Sequence, residues 1–259
     1  MSLSQLFSLL ENGETPKKQE DLFGFSEEHP RHYEQADIDF ITAYFTTGFD
    51  SSALNGKARF LFDLSFDAFD NIIHAWMSEL PVETEIISFS RRIITSANME
   101  NSFEDKRKAA ERVLFDRVNE DTLAVWNAAD KVHREIHRMM GFLRFNPVND
   151  VYIAKFAPDH FIIPALGEYF TARFGETAWT IIDEKRSFFL SRRPGEPGKL
   201  FHNEKVSPAD GYAGENDDEW EELWRHYHKT INNESRNNTS LQRQFMPKRY
   251  WKYLSEMKN

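Results

Sequence analysis

KVHREIHRMMGFLRF, Lys131 to Phe145, decides the fold by where its helical pattern stops. It reads as the end of an amphipathic helix that begins near Asp121, runs to Met140 and is stopped by Gly141. GFLRF then reads as a short strand carrying Arg144. With VYIAKF, Val151 to Phe156, it forms an expected hairpin across NPVND, whose Asn and Pro suit a tight connection. Two histidines and three basic residues lie beside the apolar face of the helix. That density of Arg and His points to a surface that holds an anion, with nucleic acid the first candidate.

Outward from this stretch, AWTIIDEKRSFFLSRR, Ala178 to Arg193, reads as a second hairpin with DEKR near its turn. Between the hairpins, Pro158 is expected to open a helix running to about Phe174. Upstream, the pattern gives a short helix over Ser4 to Leu10 and then an extended segment to residue 35. Ile38 to Phe45 fits a strand or a helix, and Phe49 to Lys57 fits a turn region. Arg59 to Asp63 reads as a buried strand and Glu85 to Phe89 as a second short one. Helices are expected over Phe66 to Leu80, capped by Ser65 or Asp67, and over Phe103 to Arg117. Downstream come a long loop over 192–216, a helix from Asp217 to Asn233 and a last helix from Pro247. The sum is an α+β fold, mainly helical, with a small antiparallel sheet built from two hairpins.

The 259 residues are 40% hydrophobic and 14% aromatic, so the chain can bury a core. No apolar run is long enough for a transmembrane helix, and the N-terminus lacks the features of a signal peptide. With no cysteine, the chain has no disulfide, no thiolate metal site and no cluster ligand. A cytoplasmic protein with no membrane partner is expected. The net charge of -10 argues against an indiscriminate nucleic-acid coat, but the charge is segregated. Glu215 to Glu222 carries six acids and no base, whereas residues 223–259 carry eight Lys or Arg against two Glu.

His133 and His137 are four apart and share a helix face. A zinc-protease helix spaces histidines this way but needs Glu directly after the first; here Arg134 stands there, so no metal site is expected. Two readings remain open for the segment. One is an ordinary surface of Glu and Arg pairs; the other is phosphate contact by Arg134, His137, Arg138 and Arg144, whose guanidinium forks suit phosphate oxygens. Asp159 and His160 follow Pro158, where Asp159 either caps a helix or tunes His160 as a general base. Asp183 and Arg186 sit in the DEKR turn, read either as solvated or as an orienting acid beside a basic surface. The weak catalytic candidates are therefore His137, Asp159, His160 and Asp183. The nucleic-acid-binding candidates are Arg134, His137, Arg138, Arg144, His160 and Arg186. In the C-terminal stretch, Lys248, Arg249 and Lys252 alternate with Tyr250, Trp251 and Tyr253, which suits base stacking or simple docking of a helix. Phosphate-loop and dinucleotide fingerprints and a serine elbow are absent.

Taken together, KVHREIHRMMGFLRF, APDHF (Ala157–Phe161), ARF (Ala172–Phe174), WTIIDEKR (Trp179–Arg186) and LQRQFMPKRYWKYLSE (Leu241–Glu256) resemble one family. It comprises DNA metabolism or repair proteins encoded with a radical S-adenosylmethionine protein and contains a domain of unknown function. In some relatives that domain looks like the partner of a fused uracil-DNA glycosylase domain. The resemblance runs from about Phe60 to the C-terminus. Members carry an aromatic-Asp-Gly-Ser-Phe run where this chain has FDLSF, Phe62 to Phe66. Residues 1–57 do not match and are expected to form a partly mobile N-terminal extension, with 58–259 as the DNA metabolism domain.

The resemblance implies a DNA repair or metabolism role, with DNA and the radical S-adenosylmethionine protein as partners. The partner would supply the chemistry, and no cofactor is expected in this chain. Glycosylase activity is not carried over, because the glycosylase domain is missing. Two rival expectations stand beside this one. The first is a nucleic-acid-processing enzyme in which the acid–base candidates converge in one cleft. The second is a protein-interaction module whose basic face binds an acidic partner, such as Glu215 to Glu222.

Overall fold

The computed structural model describes residues 1–15, 33–46, 49–202 and 246–254. The expected helix over Asp217 to Asn233 and the acidic run Glu215 to Glu222 lie outside the described residues. The chain forms two compact units, one of residues 1–136 with 159–162, the other of 137–158 with 163–259. They divide within a helix at residue 136.

The first unit is helical. Its elements are α1 (Leu3–Asn12), α2 (Gln35–Tyr44), α3 (Gly56–Leu64), α4 (Phe66–Met77), α5 (Glu83–Asn98) and α6 (Phe103–Leu114). The first part of α7 (Glu120–Phe142) completes it. Residues 1–15 are bound into this unit, with Leu3, Leu6 and Leu10 almost fully buried. Ser2 and Gln5 close a capping box at the start of α1, and Asp37 of α2 accepts from the Leu3 and Ser4 amides. Trp76 donates its indole N–H to the Met1 carbonyl. The segment Ile38 to Phe45, left open by its pattern, is the helix α2.

Two expected strands are helices. Arg59 to Asp63 lies in α3, where Ala58, Leu61 and Leu64 turn inward and Arg59 pairs with Asp63 four residues on. Glu85 to Phe89 lies in α5, whose buried Ile86, Phe89, Ser90, Ile93 and Ala97 follow the helical period. Gly56 opens α3 with a φ of +50°, a conformation that favours glycine, and a side chain there would strike the Glu11 carboxylate. Glu11 in turn accepts the Lys57 amide.

The second unit holds β1 (Asn146–Val148), β2 (Val151–Phe156), β3 (Trp179–Asp183), β4 (Phe188–Arg192), β5 (Lys199–His202) and α8 (Gly167–Phe174). The α+β expectation holds, but the sheet is mixed and five-stranded, ordered β1-β2-β3-β4-β5. The β3–β4 pair is the second expected hairpin, with Asp183 opposite Phe188. GFLRF is not a strand: α7 continues through Gly141 to Phe142, and β1 begins at Asn146. Asn149, at φ +52°, and Asp150 make the turn between β1 and β2. Pro147 is tolerated because β1 is an edge strand.

β2 and β3 pair in parallel, Tyr152 opposite Trp179 and Phe156 opposite Asp183, so the hairpins are joined by a crossover. That crossover carries a 3-10 turn, Ile163–Leu166, and α8, so the continuous helix expected from Pro158 is replaced by a later, shorter one. β5 and a 3-10 turn over Lys248–Tyr253 stand where a loop and an α-helix were expected. β3 is buried along its whole length, which fits a central strand with both faces covered.

Candidate functional site

In the first unit, three helices bring one carboxylate, two imidazoles and a phenol together. Ser65 caps α4 by accepting the Ala68 amide, and α4 places Asp70 and His74 four residues apart on one face. α7 brings His133, and the last turn of α2 brings Tyr44. Tyr44 donates its hydroxyl to Asp70 Oδ1 at 2.8 Å. The other oxygen, Oδ2, lies 3.2 Å from His74 Nδ1 and 3.4 Å from His133 Nε2. His74 Nδ1 is also 2.9 Å from the Asp70 backbone oxygen; a carbonyl only accepts, so Nδ1 carries the proton in this arrangement.

The two imidazoles lie 3.8 Å apart between ring centroids. The His74 side chain is 5% exposed and that of His133 46%, so the group is dry at one end and open to solvent at the other. Phe45 packs edge-on against His74, and Tyr44 packs among Phe40, Phe49 and Phe69. Burial alone would raise Asp70, but hydrogen bonds from His133, His74 and Tyr44 outweigh it and hold the carboxyl well below the usual range. Tyr44 moves the other way: burial, then the Asp70 charge, push its hydroxyl above its ordinary value. His133 therefore faces Asp70 and His74.

A second carboxylate in this unit is placed for structure. Glu135 lies on the buried stripe of α7 that includes Val132 and Ile136. A carboxylate there must be bonded, and its two oxygens accept the Asp159 and His160 amides at 2.8 and 2.9 Å. Asp159 and His160 thus sit in a bend held by Glu135, not at a helix start. His160 Nδ1 donates to the Ser78 carbonyl at 2.6 Å, which leaves Nε2 as the nitrogen with a lone pair. Arg134, exposed on α7, forms an ion pair with Asp130.

In the second unit, Asp183 and Arg186 are a buried pair, not a solvated turn. Asp183 Oδ1 accepts the Lys185 and Arg186 amides, while Oδ2 accepts Arg186 Nη1 at 3.0 Å. Arg186 also donates to the Pro158 carbonyl, so its guanidinium spans the turn and the end of the β2 segment. Burial pushes the Asp183 carboxyl up to about 6, against the lowering pull of Arg186 and the two amides. Tyr253 donates to Glu184, tying the C-terminal turn to this hairpin.

The exposed cations of this unit lie elsewhere. His137 is exposed and Arg138 half-exposed, and neither has a hydrogen-bond or ion-pair partner among the described residues. Arg144 is turned back onto the Gly141 carbonyl. In the C-terminal turn, Lys248 lies over Trp251, Arg249 over Tyr250 and Lys252 over Tyr253, with 5.8, 4.8 and 4.6 Å to the ring centroids. Tyr250 is buried, whereas Trp251 is half-buried and donates to the Met246 carbonyl.

A family model described as a domain of unknown function, DUF4130, matches residues 96–256, more than half of the chain. The chain belongs to the DUF4130 family. No curated protein and no solved structure matches it. The DUF4130 region takes in the whole sheet, His133, Glu135, the Asp159–His160 bend and the C-terminal cation–aromatic turn. It begins after Tyr44, Asp70 and His74, so the Asp–His group combines one side chain of the DUF4130 region with three that precede it. Glu135 was not among the sequence candidates; the signal that could have found it is a carboxylate on an apolar stripe. The Asp70–His74 pair was legible only as an i, i+4 spacing, with nothing to join it to His133.

Proposed function

We propose that this chain binds nucleic acid through phosphate contacts made by its second unit, in a DNA repair or DNA metabolism role. A radical S-adenosylmethionine protein would act beside it and supply the chemistry. The observation that carries the reading is the turn Lys248–Tyr253, where three exposed cations lie over three aromatic rings. Cations hold phosphates whatever the sequence, and the half-buried Trp251 and Tyr253 are the rings left to meet a base, since Tyr250 is buried. Arg138, with no ion-pair partner among the described residues, extends the set, and the exposed His137 adds a hydrogen-bonding ring next to it in the chain. Arg144 joins them as a guanidinium oriented by the Gly141 carbonyl. Arg186 is left out because it is buried against Asp183, and Arg134 because Asp130 pairs with it. His160 is left out because its ring is bonded to Ser78.

The test is fluorescence anisotropy with single- and double-stranded DNA across a salt series. Wild type is compared with the double variant Arg138→Ala, Arg144→Ala and with the triple variant Lys248→Ala, Arg249→Ala, Lys252→Ala. Binding is expected to weaken with salt, and each variant is expected to flatten the dependence of log K on log salt by roughly one phosphate contact per cation removed. Absence of binding at low salt, or variants that bind like wild type, would reject the reading.

A further inference from the structure

We infer that Asp70, His74 and His133 form a binding site for one divalent transition-metal ion. The inference concerns the first unit and does not rest on the nucleic-acid reading. Each of the three residues offers a ligand atom, and these atoms all lie within 4.8 Å of one another. Asp70 Oδ2 lies 3.2 Å from one imidazole nitrogen and 3.4 Å from the other. Bonds of about 2.0–2.1 Å to zinc at tetrahedral angles place ligand atoms about 3.3 Å apart. The side chains therefore stand near the separation that a bound ion requires.

The surroundings fit the same assignment. A ligating carboxylate is ordinarily held by an outer partner, and Tyr44 fills that role by bonding Oδ1 and leaving Oδ2 to face the imidazoles. To ligate the ion, the His74 ring would carry its hydrogen on Nε2 instead of Nδ1, so that the Nδ1 lone pair serves the ion in place of the hydrogen bond to the Asp70 carbonyl. Two nitrogens and one oxygen suit zinc, cobalt, nickel or iron better than the oxygen-seeking calcium or magnesium. Three protein ligands, one of them half-exposed, leave a coordination position for water or a substrate, as catalytic zinc sites do.

The experiment is zinc and cobalt(II) titration of the full chain, stripped with chelator, read by equilibrium dialysis and by the visible absorption of bound cobalt. The variants are His133→Ala, Asp70→Asn and Tyr44→Phe, with His202→Ala as a control for surface histidine binding. Wild type and the control are expected to bind one ion per chain and give the visible bands of low-coordinate cobalt. His133→Ala and Asp70→Asn are expected to lose at least about tenfold in affinity, and Tyr44→Phe about tenfold through the outer partner. Absence of stoichiometric binding in wild type overturns the site, as does undiminished binding in His133→Ala. Should Asp70→Asn fail to fold, His133→Ala decides, because that side chain is exposed.

Discussion

Glu135 holds the backbone of both Asp159 and His160, one amide on each oxygen of a single buried carboxylate. Glutamine has nearly the same shape but only one acceptor oxygen, and its NH2 would face an amide N–H. Glu135→Gln is therefore expected to lower stability by about 1–3 kcal/mol. Urea denaturation followed by circular dichroism measures this, and an unchanged midpoint would show that the clamp contributes nothing.

Asp37 reaches across from α2 to accept two amides at the start of α1. Asp37→Ala leaves those donors without their acceptor and is expected to cost about 1–3 kcal/mol. Burial raises the Asp37 carboxyl above its ordinary value, so a neutral acceptor should serve well. Asp37→Asn is expected to cost clearly less than alanine in the same denaturation series. Equal losses would mean that the charge, not the accepting oxygen, matters.

Asp183 gives a pH dependence of defined sign. Burial raises its folded value to about 6, above that of the unfolded chain. The folded protein then binds the proton more tightly, so this contribution to stability is fully present below about pH 4 and is lost as pH rises through about 6. The size is on the order of 2–3 kcal/mol. Asp183→Asn should flatten this part of the stability profile between pH 4 and 7. A mutant profile parallel to that of wild type would contradict it.

Gly56 combines a left-handed φ with a close approach to Glu11. Gly56→Ala is expected to lose about 1–2 kcal/mol from backbone strain alone. Comparing the double variant with Glu11→Ala alone, which itself removes the acceptor of the Lys57 amide, separates strain from collision: a Gly56→Ala loss that persists in that background is strain, and its disappearance there would show collision only.

Much of the helical unit was legible because α4, α6 and α7 are long enough to display their period. The failures at Arg59–Asp63 and Glu85–Phe89 share one cause. Five residues rich in Phe, Leu or Ile cannot distinguish a buried strand from one face of a helix, and only Ala58, Leu64, Ile93 and Ala97 outside those windows reveal the turn of the chain. The β3–β4 hairpin could be anticipated from the DEKR run, but the first was misplaced, because β1 lies within NPVND, the stretch read as its connection, and the parallel junction of β2 with β3 leaves no local signature. At the sites, Arg186 looked like a surface cation because its sequence neighbours are charged; its burial follows from Asp183 and Pro158 meeting at the strand ends. His133 showed by its spacing only that it shares a helix face with His137, whereas tertiary packing gave it partners from α4.

The chain enters its second unit within α7, returns to the first for Asp159–Ile162, and leaves it again. That brief return supplies the amides held by Glu135 and the Phe161 ring stacked on Tyr33. No single cut can therefore release either unit whole. A fragment ending at residue 136 would leave Glu135 with its clamped amides missing and Tyr33 with a bare face, so excision, fusion and split-protein designs must carry the returning loop with the helical part.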